Sequence, residues 1–169
     1  MDSTSFQRLS GALYFVAFAL IAVPFSDFTT SIVPPQFGNM QWRFASAGLL
    51  SGFIFTPLMG VTLGLIVTMA NEHRLAQRLL SGFNTMFAVL LLGVMIMFML
   101  DVVQLRREVP PGDTRVAFYF TALRSVLKFA VGIVAFLWLG ITGLRTVPAS
   151  RRRNESGAPL IVGGEAAKA

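Results

Sequence analysis

Residues 44–70 read FASAGLLSGFIFTPLMGVTLGLIVTMA and decide the fold. No charge interrupts these roughly 27 residues, which as a helix would reach about 40 Å, beyond the ~30 Å hydrocarbon core of a bilayer. Such a segment must tilt, bend or protrude. Pro57 in its middle removes a backbone hydrogen bond and is expected to kink it, which a bundle tolerates where neighbouring groups satisfy the freed carbonyl. Gly48, Gly52, Thr56, Gly60 and Gly64 recur every four residues and form a ridge of small side chains. In lipid, apolar groups gain little by leaving their surroundings. Helix association then depends on close packing, and such ridges favour it. The ridge serves either packing inside this chain's own bundle or docking to a second copy or another membrane protein.

Three further apolar stretches lie at about 9–25, 79–103 and 116–144, separated by polar or proline-rich connections. The first is short, and Pro24 with Ser26 and Asp27 supplies its stop signal. A cleavable leader is the competing reading, but its n-region carries one Arg and one Asp, and no good small-x-small site follows. It is therefore read as a helix. Pro34 and Pro35 exclude a continuous helix in the next connection, and Trp42 stands where an interfacial aromatic belongs. NEHRLAQR is short enough to make the second and third spans an antiparallel hairpin, and Pro110, Pro111 and Gly112 break the chain before the fourth. The expectation is an all-α integral membrane protein, a four-transmembrane-helix bundle over 1–147 with a disordered basic cytoplasmic tail, 148–169.

Composition agrees, with 54% hydrophobic and 13% charged residues and a mean hydropathy of +0.68. The net charge of +6 is explained by flanking arginines rather than by nucleic-acid binding. Arg8, Arg74, Arg78, Arg145, Arg151, Arg152 and Arg153 gather on the side of both termini, against Arg43, Arg106, Arg107 and Arg115 opposite. That bias places both termini in the cytoplasm. Arg151, Arg152 and Arg153 also suit anionic headgroups, at roughly 1 kcal/mol per cation.

Arg124 and Lys128 lie four residues apart within the fourth apolar stretch, where charge needs a partner or water. In a hairpin turning near Pro111, Asp101 reaches the depth of Arg124. The expected cluster of Asp101, Arg124 and Lys128 is either a structural clamp or an anion, headgroup or proton site. Chemistry finds little else to work with. Cysteine is absent, which removes disulfides, thiolate metal sites and thiol nucleophiles. His73 alone supplies neither haem axial ligands nor a metal site, and neither a phosphate loop nor a catalytic set of side chains is present. No enzymatic activity, metal or cofactor is expected.

The stretch VPPQFGNMQWRFASAGLLSGFIFTPLMGVTLGL resembles the membrane region of HpsJ-type proteins, named for hormogonium polysaccharide secretion in cyanobacteria. Pro35, Phe37, Asn39, Trp42, Gly48, Pro57, Leu58 and Gly60 stand at the matching places, and LLLGVMIMFMLDVVQLR is similar too, with Asp101 and Arg106 at its end. The resemblance covers about the first 107 residues. Those relatives continue into a long polar segment, whereas this chain has a fourth apolar span and a short basic tail. The resemblance implies an envelope-associated bacterial membrane protein with an accessory role. Two other functions remain open: a small oligomeric transporter or channel with Arg124 and Lys128 lining an anion path, and a subunit of an energy-converting complex that ligates no pigment or quinone itself. Membrane lipid and other membrane proteins, or further copies of the chain, are the expected partners.

Overall fold

A computed structural model describes residues 3–145, with side-chain surroundings from residue 9 onward. The described residues form five helices and no strand: α1 (Ser3–Ser31), α2 (Met40–Phe53), α3 (Phe55–Ala70), α4 (Arg74–Leu105) and α5 (Asp113–Arg145). The expected tail, with Arg151, Arg152 and Arg153, lies outside the described residues.

Pro24 does not end the first helix, which runs on to Ser31. Past the proline the last turns are reinforced by hydroxyls that bond back to carbonyls one turn earlier. Thr29 Oγ1 donates to Phe25 O at 2.8 Å and Ser31 Oγ to Asp27 O at 2.7 Å. A helix that crosses a membrane tolerates a proline where neighbouring groups satisfy the backbone it frees.

The second apolar stretch is a bent pair. α2 and α3 meet at Ile54 at an angle of 40°, one turn before Pro57. Proline offers no N–H to the carbonyl of Phe53, and its ring crowds that carbonyl, so the ladder is interrupted on the N-terminal side of the ring. Ile54 is buried and rests on α5 where Gly132 has no side chain. A Cβ there would lie 2.6 Å from Ile54 Cγ2.

The α3–α4 turn is closed by Asn71, whose side-chain Nδ2 donates to Val67 O at 2.8 Å. Gly112, at φ +115°, supplies the left-handed residue of the α4–α5 turn, a conformation open to glycine at little steric cost. Arg115 Nη2 donates to Val109 O at 2.7 Å across the same turn.

The most extensive helix contact is between α4 and α5. The buried residues of α5 are Ala122, Ser125, Phe129, Gly132, Ile133, Phe136, Gly140 and Gly143, the three- and four-residue steps of a single helix face. Phe87 meets Phe136 edge to face, with ring centroids 5.0 Å apart. α1 lies outside this core. It packs mainly on α3, and no backbone contact with α4 or α5 is found among the described residues.

The outer surface is apolar. Phe15, Phe18, Phe120, Leu123 and Trp138 are each at least 65% exposed, an arrangement costly in water and natural in lipid. Three helices are long and apolar enough to cross a membrane, and there are four spans if the bent pair is counted as one.

Candidate functional site

Asp101 is 4% exposed near the end of α4, and its partner is Arg43 of α2. Arg43 Nη2 lies 2.8 Å from Asp101 Oδ1 and Nε 3.2 Å from Oδ2, a two-pronged contact that matches the guanidinium fork to the carboxylate. The remaining terminal nitrogen of Arg43 donates to Phe37 O at 2.8 Å. One side chain therefore ties together the α1–α2 connection, α2 and α4.

Local sequence positions this arginine. Asn39 caps α2, its Oδ1 accepting from the backbone N–H of Gln41 at 2.9 Å and of Trp42 at 3.2 Å. Trp42 packs edge-on against Phe37 at 5.4 Å between centroids. One residue past Arg43, Phe44 stacks on Phe98 at 5.0 Å and on Phe118 at 5.2 Å. The ion pair thus sits above a layer of aromatic rings from α2, α4 and α5.

The expected pairing of Asp101 with Arg124 and Lys128 is not what the structure contains. The depth is as expected. The neighbours Thr85 with Gly140 and Phe98 with Phe129 set an antiparallel register that brings Asp101 level with Arg124. The azimuth differs. Arg124 falls beside, not on, the buried face of α5 and is exposed, and Lys128 is half-buried on the same outer side. Neither makes a hydrogen bond or ion pair among the described residues.

The glycine ridge is divided by the break at Ile54. On α3, a Cβ at Gly60 would lie 2.8 Å from Ala17 O and 2.9 Å from Leu20 Cβ, and one at Gly64 would meet Leu80 at 3.1 Å. That half is occupied by α1 and α4. On α2, Gly48 and Gly52 have nothing within 4 Å of the same position, and Thr56, in the first turn of α3, is exposed.

A second set of close approaches lies on α5. A Cβ at Gly140 would overlap Thr85 Oγ1 and lie 3.2 Å from Ser81 O, and one at Gly143 would overlap Ser81 Oγ. These glycines let α4 bring a polar column into the seam. Gln77 Nε2 donates to Gly143 O at 2.9 Å, while Ser81 and Asn84 are fully enclosed, with Ser81 Oγ and both amide atoms of Asn84 lacking a hydrogen-bond partner among the described residues. Sequence reasoning missed this column. Its signal was the spacing Gln77, Ser81, Asn84, which repeats the step of the buried face.

An enclosed amide without partners costs on the order of 1–3 kcal/mol. Replacement of Asn84 by Leu, similar in shape, is accordingly expected to raise the resistance of the bundle to thermal unfolding in mild detergent. A lowered melting temperature would show that the amide contributes an interaction worth more than its burial costs.

His73 lies in the α3–α4 turn, with Nδ1 3.1 Å from the Tyr14 hydroxyl and the two rings stacked. Among the described residues, no three His, Asp or Glu side chains group as metal ligands would. Compared with protein families, curated proteins and solved structures, the chain matches none. The fold and its apolar surface define the class: a helical bundle of the membrane-protein kind, with three or four candidate spans.

Proposed function

We infer that the chain is a non-enzymatic accessory or scaffold subunit of the bacterial inner membrane. In this reading the bent α2–α3 pair is one span of four, both termini are cytoplasmic, and α2 docks against another membrane protein or a second copy. The observation that carries it is the open half of the glycine ridge. Gly48 and Gly52 present bare backbone to the surroundings, whereas Gly60 and Gly64 of the same ridge are filled from within. Glycine in a helix interior costs roughly 0.5–1 kcal/mol relative to alanine, a cost that close approach of another helix would offset.

The HpsJ-type resemblance adds an envelope or polysaccharide-secretion setting to this proposal. A transporter or channel is the weaker reading. Arg124 and Lys128 face outward from α5, so an anion path lined by them would have to run between copies. The energy-converting subunit gains no support from any residue described above.

Photo-cross-linking in native membranes tests the docking face. A photoreactive side chain at position 52 is expected to yield a discrete protein adduct, while the same group at Leu90, on the exposed side of α4, yields none. Equal diffuse labelling from both positions would sink the proposal.

A further inference from the structure

Arg124 and Lys128 remain unexplained by the ion pair and by the α2 face. They lie one turn apart on the outer side of α5, without a carboxylate partner among the described residues. Continuing the same stripe toward the membrane middle, steps of three and four residues reach Val131, Ala135 and Trp138. These three line an open groove of about 610 Å³ between α5 and α3, bordered on the far side by Leu58 and Thr62. Two unpaired cations thus stand at the head of an apolar trough on one helix face.

The dimensions fit one occupant. From Lys128 to Trp138 is ten residues, roughly 15 Å along the helix, and half the ~30 Å hydrocarbon core is about 15 Å. Lys128 and Arg145 bound the charge-free part of α5, residues 129–144, whose middle lies near Phe136, so the trough reaches from the level of the cations to the bilayer middle, the depth of one acyl chain. Side chains on a helix lean toward its N-terminus, which for α5 is the end near Gly112. Arg124 and Lys128 thus lean away from the trough, toward the interface where a phosphate sits.

We propose that this face is a binding site for one anionic phospholipid, its phosphate held by Arg124 and Lys128 and one acyl chain lying over Ala135 as far as Trp138. Arginine supplies a fork suited to phosphate oxygens, and lysine a second point charge. The lipid belongs to the leaflet on the side of the α4–α5 turn. A headgroup of net negative charge is preferred over a zwitterionic one, because both protein charges are positive and neither is neutralised among the described residues.

Trp138 reports on the site. The chain has two tryptophans, so Trp42→Phe leaves Trp138 alone, 70% exposed in the trough. The full chain with that substitution is reconstituted in phosphatidylcholine bilayers. Increasing fractions of phosphatidylglycerol or phosphatidylcholine, brominated midway along the chain, are then added. Half-maximal quenching of Trp138 is expected at about tenfold lower mole fraction for the brominated phosphatidylglycerol. The preference is expected to vanish in Arg124→Gln/Lys128→Gln and to persist in Arg124→Lys/Lys128→Arg. Both positions lie off the buried seam, so neither pair of substitutions is expected to shift the melting temperature. Equal quenching by the two lipids in the parent would overturn the proposal, as would a preference that survives in the glutamine variant. A Trp138 shielded from both lipids, as under a neighbouring helix, would overturn it as well.

Discussion

Replacement of Arg43 by Ala is expected to be the most destabilising removal of a charge from the bundle, measured as unfolding in mild detergent titrated with a denaturing one. The size of the effect follows from the asymmetry of the pair. Asp101 is 4% exposed, so losing the guanidinium leaves an enclosed carboxylate without its charge partner and also frees Phe37 O, which Arg43 holds at 2.8 Å. Asp101→Ala is expected to cost less, because the Arg43 side chain, 26% exposed, can turn toward water or headgroups. Arg124→Ala is expected to stay within about 0.5 kcal/mol of the parent. An Arg124→Ala loss as large as that of Arg43→Ala would return Asp101 to the partner that hairpin depth alone nominates.

The second large effect is expected at the α4–α5 seam. Gly140→Leu and Gly143→Leu should each lower stability by about 3 kcal/mol and force α4 and α5 apart. At Gly140 a new Cβ meets Ser81 O and Thr85 N at 3.2 Å. These are backbone atoms that no rotamer change can move, so the helices must separate. Parting them stretches the bond from Gln77 to Gly143 O, which is 2.9 Å long. Gly82→Leu and Gly93→Leu on the outer side of α4, where nothing lies within 4 Å, serve as controls and should be close to neutral. Equal losses at all four glycines would mean that leucine disturbs these helices through something other than the seam.

The apolar stretches were legible because hydropathy is a property of the chain itself, and the turn at Pro111 and Gly112 because those residues restrict backbone dihedrals. The depth of Asp101 was legible for the same reason, since a hairpin fixes how far each residue lies from its turn. Azimuth was not. Which side of α5 faces α4 is decided by where backbones can approach, at Gly132, Gly140 and Gly143, and the cations at 124 and 128 fall off that face. The buried spacing Ala122, Ser125, Phe129, Gly132, Phe136 would have revealed it. Arg43 was counted only as a flanking charge, and nothing local marks it as the partner of a residue 58 positions away. The glycine ridge read as one surface because spacing is blind to the break at Ile54, whose position depends on the carbonyl that Pro57 leaves unbonded.

That break gives the ridge two fates, one half used internally and the other bare, and the proposed scaffold role rests on the bare half. The most direct measurement is the size of the particle extracted from native membranes in mild detergent, for the parent and for Gly48→Leu/Gly52→Leu. The parent is expected to run as a complex of fixed stoichiometry with a second membrane chain, its own copy or another. The variant is expected to run as a single 18.4 kDa chain with an unchanged melting temperature. A variant that keeps the same complex, or a parent already monomeric, would contradict the account.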